Sequence, residues 1–257
     1  MKASGAATSA DGTELAWKAT GTGPALIMID PILVDRASSP ISTLAEQLSE
    51  DFTVYRFDRR GKGDSTDAGA STPKREADDL AAVIDDAGLG PEPSVFGFSS
   101  GGSLALYAAS RGMAMSSLAV VEPPLDLPST AGIIAEIEAL IAEGKNTEAV
   151  VRLYRYQGMP EDIIEQMTPF AEGISQNAYT MVYDLSIIEA LNVESLSKID
   201  VRTLAVASTS SPQMLRDFGN KLVRYAPAAT SVELDGDWHG VPDELLAKAI
   251  TEFAAPI

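Results

Sequence analysis

Ser94-Val95-Phe96-Gly97-Phe98-Ser99-Ser100-Gly101-Gly102-Ser103-Leu104-Ala105-Leu106 reads as an apolar strand that passes through Gly-x-Ser-x-Gly directly into a helix. A strand that turns at once into a helix brings two backbones together, and Gly97 and Gly101 leave out the Cβ atoms that would collide there. The Ser99 hydroxyl is then held out on a strained corner. The N–H groups that follow, starting with Ser100, lie unpaired at a helix N-terminus, where they stabilise developing negative charge. One short segment thus offers a nucleophile and half of an oxyanion hole. Ser100 is the poorer nucleophile, because its register would put Phe98 where the first glycine is needed.

The chain has one histidine, His239, so an imidazole general base must be this residue. It stands in Leu234-Asp235-Gly236-Asp237-Trp238-His239-Gly240-Val241-Pro242, after a short strand at 231–234 and before an amphipathic helix at 243–253. Loops at strand C-termini are where sites form in open α/β sheets.

Composition narrows the setting. With 257 residues, 45% of them hydrophobic, the chain can bury one large core and an inserted subdomain. It has no cysteine, which excludes disulfides, thiolate nucleophiles and Cys-bound metals, and one histidine among scattered carboxylates gives no metal-ligand spacing. Neither a phosphate-binding glycine loop nor any other nucleotide signature is present, so no cofactor is expected. The formal charge of −18, from 19 Lys and Arg against 37 Asp and Glu, argues against nucleic acid and anionic membranes as partners. No signal-peptide pattern or membrane-length apolar run is found, and the expectation is a soluble, cytoplasmic monomer or homodimer acting on a small molecule.

Short strands alternate with helical patterns, as in a mostly parallel sheet. A hairpin turns at Asp11-Gly12 into a strand at 13–19, and further strands are expected at 25–29, 52–57, 95–98, 117–121, 201–207 and 231–234. Helices are expected at 41–48, 72–87, 103–110, 212–225 and 243–253. Between 127 and 198 the strand signal gives way to helical periodicity at 133–142, 147–156, 160–167 and 176–190. This divides the chain into a core of 1–126 and 199–257 and a helical cap of 127–198.

Over essentially its full length the sequence resembles the α/β-hydrolase superfamily, in its serine-nucleophile branch with a helical cap. The resemblance rests on the Gly97-Phe98-Ser99-Ser100-Gly101 elbow, the Asp58-Arg59-Arg60-Gly61-Lys62-Gly63-Asp64-Ser65 loop after the fourth strand, and the late His239. It implies an α/β-hydrolase fold, with a mostly parallel eight-stranded sheet flanked by helices, and the chain order nucleophile, acid, histidine. The arginine-rich loop is expected to shape a structural turn beneath the site.

Two positions depart from the superfamily pattern. Asp30-Pro31 stand where a His-Gly pair usually opens the turn that supplies the second oxyanion donor, which by position becomes the N–H of Ile32. Asp30 would bring a carboxylate near a developing oxyanion, opposing it if ionised and donating to it if protonated. The usual acid follows the seventh strand, but that loop reads Ala207-Ser208-Thr209-Ser210-Ser211-Pro212, with Ser211 in its place. Glu122, ending the sixth strand in Val120-Val121-Glu122-Pro123-Pro124, is the preferred substitute; Asp126 and Asp184 are weaker candidates, Asp237 reads as a loop carboxylate, and a Ser-His dyad is the remaining possibility.

These residues imply acyl transfer to water on an ester or lactone of a small, mostly apolar substrate: Ser99 attacks, His239 relays the proton, Glu122 orients it, and the N–H groups of Ile32 and Ser100 hold the oxyanion. Asp30, Phe98, Met159, Tyr179 and Tyr183 are candidate pocket residues, with Met167, Phe170 and Met181 beside them. Two alternatives fit the departures: proton-transfer chemistry by His239, such as isomerisation, cyclisation or C–C cleavage, and non-catalytic binding of a small molecule.

Overall fold

Four strands carry almost only apolar or small side chains: β3 (Ala25–Ile29), β5 (Ser94–Phe98), β6 (Ser117–Val121) and β7 (Thr203–Ser208). Strands of that composition bury both faces and pair in parallel. Here they do so with β4 (Thr53–Phe57) on one side and β8 (Ala229–Leu234) on the other. The hairpin of β1 (Ser4–Thr8) and β2 (Glu14–Thr20) is added antiparallel beyond β4, giving one eight-stranded sheet in the order β1-β2-β4-β3-β5-β6-β7-β8. The structure, a computed structural model, describes residues 3–125, 127 and 129–254.

Parallel neighbours need crossovers, and helices supply them. They are α1 (Ser42–Leu48), α2 (Pro73–Ala87), α3 (Ser100–Ser110), an insertion between β6 and β7, and α9 (Gln213–Tyr225), while α10 (Asp243–Ala254) follows the last strand. The period of two along the strands assigns the sheet faces. Ile27, Ile29, Val95, Leu118, Val120 and Ala205 pack under α2, α3 and α9, through Leu80, Leu104, Ala108, Phe218 and Leu222. Their neighbours Leu26, Met28, Phe96, Ala119, Val121, Leu204 and Val206 pack against α1 and α10, through Leu44, Leu48, Leu246 and Ile250.

The insertion comprises α4 (Ala131–Ala142), α5 (Asn146–Tyr156), α6 (Glu161–Ile174), a 3-10 turn at Ser175–Thr180, α7 (Met181–Ala190) and α8 (Val193–Leu196). It differs from the sequence expectation in three ways. The helix expected to stop at 167 continues to Ile174 through Pro169, whose ring lies on the exposed face. The single helix expected over 176–190 is a 3-10 turn followed by α7. A short α8 appears, started by a capping box in which Asn192 Oδ1 accepts the Ser195 N–H and Ser195 Oγ accepts the Asn192 N–H. Helices α4–α7 share their own apolar cluster, while Ile187, Leu191, Leu196 and Ile199 return to the core under the sheet.

Candidate active site

The site lies at the carboxyl ends of adjacent strands, where β3, β5, β6, β7 and β8 hand the chain to their loops. Ser99 follows β5, and its N–H extends the β5–β6 pairing by donating to the Val121 carbonyl at 2.8 Å. Its φ of 50° is the strained corner expected of the elbow. A Cβ on Gly97 would stand 2.5 Å from Gly102 Cα, and one on Gly101 would stand 2.3 Å from the Ile29 carbonyl oxygen, so both glycines are required by backbone approach. Helix α3 begins at Ser100, whose N–H lies in the first turn and has no intrahelical acceptor.

Glu122 follows β6 at φ 42° and is 1% exposed. Its Oε2 lies 2.6 Å from His239 Nδ1, and its Oε1 accepts the Ser208 N–H at 2.8 Å. Burial pushes the carboxyl pKa up, but hydrogen bonds from His239, Ser211 and Ser208 outweigh it and hold the group below the usual glutamate range. Facing an ionised carboxylate, Nδ1 carries the imidazole proton, and Nε2 keeps its lone pair for a substrate or nucleophile proton. Ser211, standing where the resemblance places an acid, accepts the His239 N–H at 3.0 Å. Ser208 Oγ donates to the Asp237 carbonyl at 2.6 Å, so the β7 loop fixes the histidine loop from two directions. Asp237 is an exposed loop residue joined to Gly240 by a short antiparallel bridge. His239, at φ 52°, has the rings of Phe98 and Trp238 at 5.2 and 5.6 Å.

Two lobes of one cleft meet at Ser99, His239 and Trp238. The first, of about 230 Å³, is lined by Pro124, Leu127, Leu153, Leu185, Ile188, Met214, Leu215 and Phe218. The second, of about 350 Å³, is lined by Ile32, Leu33, Val34, Phe98, Met159, Met167, Phe170 and Ile174. Gln157 borders both. Of the pocket residues read from sequence, Phe98, Met159, Met167 and Phe170 therefore face the cleft. The liners that sequence reading missed, notably Gln157, Ile188, Phe218 and Trp238, come from distant segments that only the fold brings together.

Other expected site residues lie elsewhere. Asp30 is buried and held by Arg56 Nη2 at 2.8 Å and by a short hydrogen bond from Ser39 Oγ, and it lines neither lobe. Burial raises its pKa against the opposing pull of Arg56 and Ser39. Tyr179 donates to the Gly61 carbonyl at 3.1 Å and Tyr183 to Asp67 at 3.0 Å, so both hydroxyls serve the loop after β4 rather than the cleft. Met181 is fully buried in the insertion's cluster. Asp184 meets Arg59 at 2.5 Å and Lys62 at 3.4 Å, with Arg59 also bonded to Glu76 at 3.0 Å, and it makes no contact with His239. Asp126 lies outside the described residues. The arginine-rich loop is a buried ionic hub: Arg60 grips Asp79 through two hydrogen bonds of 2.7 Å, and Asp58 accepts from the N–H groups of Arg36 and Asp64.

Among the described residues no group of three or more His, Asp or Glu side chains is placed to hold a metal, and no helix is long and apolar enough to cross a membrane. The profile of the alpha/beta hydrolase family matches residues 35–253. An alpha/beta hydrolase from Sphaerobacter thermophilus is 34% identical, with a TM-score of 0.89 over 98% of this chain and 100% of its own. An enol-lactonase from Burkholderia xenovorans is 20% identical, with a TM-score of 0.75 over 97% of this chain and 99% of its own. A thermophilic esterase from Thermogutta terrifontis is 23% identical, with a TM-score of 0.75 over 97% of each chain. Comparison with curated proteins gives no match.

Proposed function

The chain belongs to the alpha/beta hydrolase family, and from that premise we propose that it is a serine hydrolase cleaving an ester or lactone bond of a small, mostly apolar substrate through an acyl-enzyme. The observation that carries this reading is the 2.6 Å contact between Glu122 and His239 Nδ1, with Ser99 and His239 lining the same apolar cleft. Among the described residues, three of the four non-glycine residues with positive φ are Ser99, Glu122 and His239, and the fourth, Leu33, adjoins Ile32; backbone strain gathered at one place is characteristic of a functional site.

In this mechanism His239 Nε2 takes the Ser99 proton as Oγ attacks the substrate carbonyl. The oxyanion is received by the N–H groups of Ile32 and Ser100, aided by the N-terminus of α3. His239 returns the proton to the departing alkoxide, leaving Ser99 acylated; a water activated by His239 then releases the acid. Glu122 stays ionised throughout, fixing the imidazole tautomer and balancing the imidazolium. The helical insertion acts as a cap, supplying Leu153, Ile188, Met159 and Met167 to apolar lobes on either side of the scissile bond. The alternative of proton-transfer chemistry by His239 arose from the absence of an acid at position 211; Glu122 at 2.6 Å from His239 Nδ1 supports the hydrolase reading over it.

The test is fluorophosphonate labelling read by intact mass and peptide mapping, together with hydrolysis of p-nitrophenyl butyrate. The adduct is expected on Ser99 and is expected to disappear in His239→Ala. Turnover is expected to fall about 10⁵-fold or more in Ser99→Ala. Full turnover in Ser99→Ala would overturn the reading.

A further inference from the structure

The turn after β3 is held from the far side of the cleft. Leu33 adopts φ 72°, a left-handed conformation that a branched side chain takes only when its surroundings impose it. Two sets of contacts do so. Leu33 and Val34, 1% and 5% exposed, belong to the apolar cluster of the insertion, packing with residues such as Ile137, Val150, Leu153 and Met181, and to neither sheet face. In addition, buried Asn177, on the 3-10 turn before α7, donates Nδ2–H to the Leu33 carbonyl at 2.8 Å. Asn177 is in turn braced by Thr180 Oγ1, which donates to its carbonyl at 2.8 Å. On the sheet side the turn starts from Asp30, anchored by Arg56 and Ser39, and from Pro31, whose ring fixes φ. The turn is therefore clamped from both ends, and one clamp belongs to the insertion.

We propose that Asn177 is a positioning residue for the oxyanion hole: by fixing the Leu33 carbonyl it holds the strained turn in the conformation that presents the Ile32 N–H to the reacting carbonyl. This rests on the serine-hydrolase reading above. Asn177 lines neither lobe and touches no reacting atom, so it acts only through the turn. In consequence, seating the insertion on the core and assembling the oxyanion hole are one event. The His-Gly opening that the superfamily usually carries is replaced here by a polar anchor below the turn and an amide clamp above it.

Two variants separate this role from simple packing. Asn177→Leu keeps a branched side chain of four heavy atoms and removes the donor. Asn177→Asp keeps the shape: its ionised carboxylate repels the Leu33 carbonyl, whereas its protonated form donates to it. Removing a single oxyanion donor typically costs 10²- to 10³-fold, and a misaimed donor retains part of its effect. In Asn177→Leu, kcat for p-nitrophenyl butyrate is therefore expected to fall about 10- to 100-fold with KM within about threefold, and fluorophosphonate labelling of Ser99 is expected to slow in parallel. For Asn177→Asp, the ratio of its kcat to that of wild type is expected to rise as pH falls from about 8 to about 5, a signature that lost packing alone does not produce.

A folded Asn177→Leu protein with wild-type kcat and labelling rate overturns the proposal. If that variant does not fold, a kcat ratio for Asn177→Asp that is flat with pH overturns it instead. Wild-type protein that neither hydrolyses the ester nor labels at Ser99 overturns the hydrolase reading and this role with it; wild type that labels while both variants match it overturns the positioning role alone.

Discussion

Glu122 and Asp184 are both buried to 1% exposure, both accept hydrogen bonds through both oxygens, and both have pKa values held down against burial, yet their partners differ in kind. Glu122 faces an imidazole beside an apolar cleft, a partner whose second ring nitrogen is left to accept a proton. Asp184 faces Arg59 and Lys62, and with Glu76 they form a buried set of two anions and two cations that lines neither lobe of the cleft. Burial and a lowered pKa do not by themselves mark a catalytic carboxylate. The decisive feature is whether its partner can pass a proton on, and whether there is a cleft to pass it into. The Asp184 set has a different task, tying the loop after β4 and the helix α2 to α7 and so holding the insertion to the core.

Substitutions at the two carboxylates should give mirror-image results. Glu122→Gln is expected to lower kcat about 10⁴-fold, equivalent to roughly 5.5 kcal/mol, because the amide no longer enforces the reactive tautomer. Its melting temperature is expected to stay near that of wild type; a large fall in stability with little loss of turnover would reverse the roles assigned here. Asp184→Asn is expected to cost about 3 kcal/mol of stability by leaving a buried cation uncompensated, a fall of roughly 6–12 °C in melting temperature. That loss is tempered by Lys62, which burial already disposes to give up its proton. Turnover per folded molecule, measured well below the transition, is expected to be retained.

Ser211→Ala removes a neutral brace from the Glu122–His239 pair. It deletes one hydrogen bond to Glu122 and the acceptor for the His239 N–H, and kcat is expected to fall about tenfold, in line with about 1.5 kcal/mol for a hydrogen bond to a charged group. The smallest effect concerns pH and stability. The Glu122 pKa is lower in the folded than in the unfolded chain, so its contribution is full above the ordinary glutamate value of 4.5 and is lost as pH falls through the lower folded value. The stability difference between wild type and Glu122→Gln, followed by urea unfolding, is expected to be constant above about pH 5 and to shrink below about pH 4.

Local chemistry made much of this legible. The elbow, the sole histidine and the alternating strands announce themselves because each depends on neighbours in sequence, and the end of β6 is where the structure brings Glu122 to His239. What stayed hidden depends on contacts between distant segments. Tyr179 and Tyr183 have the spacing and character of cleft liners, and nothing local shows that their hydroxyls reach Gly61 and Asp67. Asp184 sits on a helix that sequence places near the site, but its cations come from a loop more than 120 residues earlier. Asp30 looked like an active-site carboxylate because it borders the oxyanion turn, and only Arg56 and Ser39 reveal where it points. Leu33 gives no signal at all, since a bulky residue at positive φ is imposed by packing and not encoded by propensity.

The partners that complete the cleft are far apart along the chain: 117 residues separate Glu122 from His239, and 144 separate Leu33 from Asn177. Closing loops of that length is among the slower steps available to a folding polypeptide, whereas the elbow and its helix form from adjacent residues. Residues 25–121, from β3 to β6, include Ser99 and its elbow but neither His239 nor Asn177. On the serine-hydrolase reading proposed above, reactivity would therefore wait on contacts between distant segments, and a half-made copy would carry an inert serine rather than an indiscriminate one.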